Sequence, residues 1–349
     1  MTTTTTARAV GWIEQGLVPD RVVRLGIRRL LRERLAEMHE GDAESAEEAN
    51  QHFVEEMRRA PIAPLPGKAN EQHYEVPAEF FATVLGQHRK YSCCWWGEGV
   101  EELDRAEAAA LRLTCQRAGL QDGQDVLELG CGWGSLSLWM ADHYRNSRIT
   151  AVSNSHSQRR YIEREAEARG LHNLRVMTSD ANHFDTAAGQ YDRVVSVEMF
   201  EHLRNWPRMF ERVAGWLKPD GRFFMHVFAH RGAPYAFEDR DAGDWMSRHF
   251  FSGGMMPSDD LALNFQDDLR LERRWRWDGT HYQKTAEAWL HRMDVSRETL
   301  MPLMVATYGV AAETWWQRWR LFFMSVAELF GHDDGQQWWV SHYLFSKRA

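Results

Sequence analysis

Two textures of apolar and polar positions divide the chain. From residue 1 to about 60 the apolar residues recur at helical intervals. Val22, Val23, Leu25, Ile27, Leu30 and Leu31 are interleaved with arginines, and a run of Glu and Ala follows. That spacing predicts helix. Pro61, Pro64 and Pro66 make residues 61–70 a loop, since proline blocks helix propagation. Residues 71–120 read again as mostly helical.

From residue 125 short β-rich runs alternate with helical stretches. The predicted strands are 125–130, 148–153, 174–179, 192–199 and 221–228. Such alternation implies βαβ units and a parallel sheet. KPDG before the fifth strand is a turn signal. Two later runs, 269–277 and 338–347, also read as strands. A helical block rich in Trp, Phe and Met lies between them, over roughly 284–330. The expectation is an α/β fold, doubly wound and mostly parallel, with seven strands. Its divisions are a helical segment and site cover (1–95), a Rossmann-like core (96–283), a helical lid (284–331) and a final core strand (332–349). No internal repeat is visible.

The first strand runs through Gly130, Gly132 and Gly134 into a helix. Glycines there let the backbone turn sharply and approach a ligand without Cβ interference. A tight packing turn would use the same residues. Dinucleotide sites prefer Gly-x-Gly-x-x-Gly and an acid at the end of the second strand. Here position 135 is Ser, and the second strand ends Ser153-Asn154-Ser155, which argues against NAD. No P-loop lysine follows, which argues against a nucleoside triphosphate.

The fourth strand runs into Glu198-Met199-Phe200-Glu201-His202. A helix starting near Glu198 would put Glu198, Glu201 and His202 on one face, at i, i+3 and i+4. Ligands of open α/β sheets bind beyond the strands' carboxyl ends, where these residues fall. A solvated helix start with acids complementing its dipole accounts for the same three residues.

Composition narrows the classes. The 349 residues are 44% hydrophobic and 26% charged, as in globular proteins. A net charge of −8 gives no nucleic-acid footprint. Cys93, Cys94, Cys115 and Cys131 form no Cys-x-x-Cys pair, so no metal site is signalled and reduced thiols are expected. No apolar run is long enough for a membrane span, and the N-terminus lacks a signal-like apolar stretch. A soluble, cytoplasmic protein is expected.

The motifs at 91–96 (YSCCWW), 126–141, 196–202 (SVEMFEH), 250–258 (FFSGGMMPS) and 327–345 resemble the coclaurine N-methyltransferase-like group of plant benzylisoquinoline N-methyltransferases. That group sits within the cyclopropane fatty acid synthase superfamily. The resemblance covers residues 65–349, and the N-terminus before it matches nothing recognisable. It implies S-adenosylmethionine (SAM) as cofactor and a small amine as acceptor, and it admits a homodimer. It places Tyr91 and Ser92 over the methionine end, Gly130 and Gly132 at the approach, Asn154 and Gln158 on the ribose, and Asp180 and Ala181 at the adenine. Glu201 and His202 match the family's acid–base pair, with Glu198 beside them, and Tyr74 matches a position near the acceptor.

A proton acceptor suits this chemistry, because an amine is mostly protonated at neutral pH and must present a lone pair. In the lidding block, Trp315, Trp316, Trp319, Phe322 and Phe323 offer aromatic faces to a cationic ring-bearing amine. At helical spacing, Trp and Phe more often build a core. The lipid branch of the superfamily is the alternative, with acyl chains as acceptors. There Cys93, Glu201, His226 and Tyr282 match residues around a bicarbonate base, but Glu198 stands where that branch carries glycine. A SAM-binding sensor without catalysis would have no need of the Glu–His cluster.

Overall fold

The computed structural model describes residues 3–39, 43–65, 67, 77–239 and 244–348. The N-terminal helical texture resolves into three helices, α1 (Thr3–Glu14), α2 (Asp20–His39) and α3 (Ala43–Arg59). Gly16, at φ 72°, and Pro19 separate the first two. The arginines of α2 are structural. Arg24 donates to Glu287 at 2.5 Å and to Glu328 at 2.9 Å, which straps α2 to the helical block far along the chain.

The expectation of helix through 71–120 needs correction. Among the described residues helix covers only α4 (Ala78–Val84) and α5 (Leu103–Ala118). Between them the chain is irregular because one buried carboxylate gathers its amides. Glu107 accepts from the N–H groups of Gly86 (2.9 Å), His88 (2.8 Å) and Lys90 (3.1 Å). This organised loop carries Tyr91, Ser92 and Cys93.

The main sheet contains β1 (Asp125–Leu129), β2 (Arg148–Ser153), β3 (Leu174–Thr178), β4 (Tyr191–Val197), β5 (Leu217–His230), β8 (Leu269–Trp277) and β9 (Trp338–Lys347). A two-residue pair, β6 (Tyr235–Ala236) and β7 (Met255–Met256), forms a separate ribbon. The seven-stranded order is β3-β2-β1-β4-β5-β9-β8. The first five strands are parallel, and β9 runs antiparallel to both β5 and β8. KPDG lies within the observed span of β5, at an irregularity in its pairing with β4.

Helices α6 (Ser135–His143), α7 (His156–Ala168) and α8 (Trp206–Trp216) connect the parallel strands, and a short α9 (Trp245–His249) precedes β7. The strand order reverses between β1 and β4, which opens a crevice at their carboxyl ends. The helical block between β8 and β9 is α10 (Gly279–Val295), α11 (Arg297–Tyr308) and α12 (Ala312–Gly331).

Candidate active site

The crevice at the switch point is built by two turns. After β1, Gly130, Gly132 and Gly134 take φ of 77°, 51° and 77°. They serve different ends. A Cβ on Gly130 would lie 2.5 Å from Met199 Cγ, and one on Gly134 would lie 2.5 Å from Ile162 Cγ1, so both permit close packing. A Cβ on Gly132 would meet nothing within 4 Å and would project into open space.

The second turn differs from the sequence expectation. No α-helix starts at Glu198. That residue adopts φ 48°, a single 3-10 turn spans Phe200–His202, and α8 starts only at Trp206. The stronger start signal lies downstream: the Asn205 side chain accepts from Arg208 N–H at 3.0 Å, and Pro207 sits in the first turn. The three cluster residues are therefore dispersed by a left-handed kink rather than aligned on one helix face.

Two cavities meet at the glycine loop. The first encloses about 830 Å3, its open mouth included, and its walls include Ala63, Leu65, Asn154, Ala181, Phe184 and His202. The second is walled by Arg89, Lys90, Tyr91, Ser92, Trp133 and Glu198, among others. Gly130, Gly132 and Gln158 belong to both. Gln158 Oε1 accepts from Ser153 Oγ at 2.6 Å, while its buried Nε2 has no partner among the described residues. A cradle at Gly132 and an orphaned amide between two joined cavities fit an elongated polar cofactor. Asp180 is not among the residues that wall the first cavity. Its Oδ1 accepts from Asn182 N–H at 2.7 Å and so shapes the turn beside Ala181.

Glu198 is the hub of the second cavity. Its Oε1 accepts from Cys93 N–H at 2.8 Å and lies 3.1 Å from His226 Nε2. Its Oε2 accepts from Tyr282 OH at 2.7 Å. Burial raises its pKa, and the positive charge of Lys90 opposes that shift most strongly. Lys90 is itself buried, with Nζ donating to Ser92 Oγ (2.5 Å) and Cys93 O (2.6 Å).

Glu201 faces away from both cavities. Its Oε1 accepts from Phe228 N–H at 2.8 Å, and burial, reinforced by the charge of Glu198, pushes its pKa well above the carboxylate range. His202 walls the first cavity, with its ring stacked on Phe251 at 4.6 Å. Burial lowers its pKa to about 4, so its ring is neutral at physiological pH. The structure thus presents one carboxylate with three polar partners and one neutral imidazole to adjoining cavities, beside a second carboxyl whose pKa burial pushes well up.

Cys93 contributes its backbone N–H, and burial pushes its thiol pKa well up. Trp319, Phe322 and Phe323 lie in the interior. Trp319 packs on Phe80 at 4.9 Å and Phe250 at 5.0 Å, and Phe322 stacks on Phe250 at 4.4 Å. Tyr74 lies outside the described residues. Sequence reasoning did not single out Lys90, Phe251 or the Leu65 wall. An aromatic in a Gly-rich run, and a lysine just before Tyr91-Ser92, were the available signals.

A parallel sheet ending in an antiparallel strand pair, with a glycine cradle at its switch point and a carboxylate and imidazole facing it, defines a SAM-dependent methyltransferase. Among families, the Mycolic acid cyclopropane synthetase model matches residues 66–338. Among relatives, (S)-coclaurine N-methyltransferase of Thalictrum flavum subsp. glaucum is 36% identical over 341 residues, covering 96% of this chain and 94% of its own. A crystal structure of coclaurine N-methyltransferase bound to N-methylheliamine and SAH superposes with TM-score 0.94 at 36% identity, over 97% of this chain and 99% of that one. Cyclopropane-fatty-acyl-phospholipid synthase of Escherichia coli (strain K12) is 30% identical over 224 residues, covering 64% of this chain and 55% of its own. The chain belongs to the Mycolic acid cyclopropane synthetase family and, within it, to the coclaurine N-methyltransferase group: it is a SAM-dependent N-methyltransferase. The similarity, expected to begin near residue 65, extends into the N-terminal helices.

Proposed function

We propose that the acceptor is a small cyclic or aromatic amine, and that Glu198 and His202 manage its proton. Bound SAM supplies an electrophilic methyl group that passes to a nitrogen lone pair by in-line displacement. Asn154 and Gln158 hold the ribose hydroxyls, Tyr91 and Ser92 close over the methionine end, and Ala181 meets the adenine. Glu198, whose two oxygens accept from Cys93 N–H and Tyr282 OH, draws the cationic ammonium into the second cavity and accepts its proton. His202, neutral and walling the adjoining cavity, offers a second lone pair. Glu201 accepts from the Phe228 amide and keeps β5 against the turn. Helices α10–α12 cover the acceptor, and Phe251, stacked on His202, gives it an aromatic face worth about 0.5–2 kcal/mol to a cation.

One observation carries this reading over lipid C-methylation. Cys93, His226 and Tyr282, three of the residues that would surround a bicarbonate base, all direct their donors at the Glu198 carboxylate. The chain's own carboxylate fills the place an external base would take. Transfer of label from methyl-labelled SAM to a pool of cyclic secondary amines, with a pool of unsaturated phospholipids in parallel, tests it. Label in the amines, unaffected by added bicarbonate, is expected. Label in the lipids alone overturns the proposal.

A further inference from the structure

Behind Glu198 the sheet holds a pair of buried histidines: His226, which meets that carboxylate, and His342, which has no part in the reading above. His226 on β5 and His342 on β9 are direct register partners across the antiparallel pair, so their side chains leave the same face. Their rings lie 4.5 Å apart, and Trp277 packs edge-on against both, at 5.5 and 4.4 Å. His226 Nε2 reaches Glu198 Oε1. At the other end His342 Nδ1 lies 2.6 Å from Arg117 Nη1 of α5. Arg117 sits over the faces of Trp275 and Trp277 at 5.3 and 5.6 Å and walls a separate open cavity with Arg222, Glu272 and Arg273.

The two ends dictate the tautomers in between. A guanidinium only donates, so His342 Nδ1 is an acceptor and its ring proton is on Nε2. Glu198 Oε1, which already accepts from Cys93 N–H, meets His226 as an acceptor, so His226 has its proton on Nε2. The remaining nitrogens, His342 Nε2 and His226 Nδ1, are buried without partners among the described residues. We infer that Arg117 is a positioning residue for catalysis: as a donor to His342 Nδ1 and a charge set behind the histidine pair, it holds His342 in the Nε2-protonated form and adds to burial in keeping both rings neutral, so that His226 meets Glu198 as a hydrogen-bond donor and not as a counter-ion.

The distinction matters for the base. A cationic His226 would hold Glu198 in an ion pair and favour its charged form, weakening it as a proton acceptor. The charged groups that act on the pair are Lys90 from the irregular loop, Arg117 from α5 and Glu198 after β4, while Cys93 and Tyr282 meet Glu198 rather than the rings. Burial is the first cause holding both histidines well below their usual pKa; the charges of Lys90 and Arg117 add to it at His226, and the neighbouring His226, then Arg117 and Lys90, at His342. Among the described residues no carboxylate pairs with Arg117, whose pKa burial lowers to about 10, and Glu272 of the same cavity wall pairs with Arg222 at 3.0 Å.

The test compares Arg117→Met and Arg117→Lys in the full-length protein, by the pH dependence of kcat/KM for methyl transfer to a cyclic secondary amine. Arg117→Met is expected to move the acid limb up by roughly one pH unit, with Arg117→Lys staying at the parent position. Loss of rate in Arg117→Met without movement of the limb overturns the inference, as does an equal movement in both variants. Nitrogen-15 spectra of the parent protein's histidines give a second readout that needs no variant. His226 and His342 should both be Nε2-protonated and neutral from about pH 5.5 to pH 9. Titration of either ring within that window, or the Nδ1 tautomer at either, overturns the inference as well.

Discussion

Tyr282 donates its hydroxyl to Glu198 across 2.7 Å, joining the helical block between β8 and β9 to the turn after β4. The tyrosine OH is a neutral donor, since burial pushes its pKa well above the ordinary value. Tyr282→Phe removes a hydrogen bond that favours ionised Glu198. The carboxylate pKa, already raised by burial, rises further, so a smaller fraction of Glu198 is ionised at a given pH and the acid limb of the rate moves to higher pH. Methyl transfer near neutrality should drop about tenfold, with SAM affinity unchanged, as steady-state kinetics and calorimetry can establish.

The glycine loop separates a binding glycine from a packing glycine. Gly132→Ala places a Cβ in the open cradle, and it should weaken binding of S-adenosylhomocysteine at least about tenfold with a modest change in melting temperature. Gly130→Ala drives a Cβ into Met199 at positive φ and should destabilise the fold by about 1–3 kcal/mol. Calorimetric binding and thermal melts on the two variants check the contrast.

Glu201 and His202, neighbours in sequence, should respond differently. Glutamine is the isostere of a protonated glutamic acid, so Glu201→Gln should keep both melting temperature and turnover. Glu201→Ala strands the Phe228 N–H and should cost about 1–3 kcal/mol. His202→Ala should keep the fold and lower turnover by roughly 10²-fold. Melts and kcat on the three variants check this.

Much of the sheet was legible because its strands carry their own signatures. β2, β8 and β9 fall on the residues their apolar runs predict. The sharp turn at Gly130–Gly134 was legible too, since all three glycines take positive φ, but which of them pack and which borders the cavity was not. What could not be read was non-local. Residues 71–120 were expected to be mostly helical, but Glu107, from the helix that follows, gathers the amides of Gly86, His88 and Lys90 into a loop. Glu198, Glu201 and His202 were expected on one helix face. The left-handed kink at Glu198 sends them to three surroundings, which only cross-strand partners such as His226 and Phe228 define. Trp319 could be read as pocket or core from its spacing, and its neighbours Phe80 and Phe250 come from distant segments.

The base role of Glu198 is tested most directly by kcat/KM for a cyclic secondary amine, measured from about pH 6 to about pH 9 in the parent protein and in Glu198→Gln. The account predicts a parent rate that climbs with pH, and a variant that has lost about 10²-fold of that rate together with the climb. A flat parent profile, or a variant that tracks the parent, would contradict it.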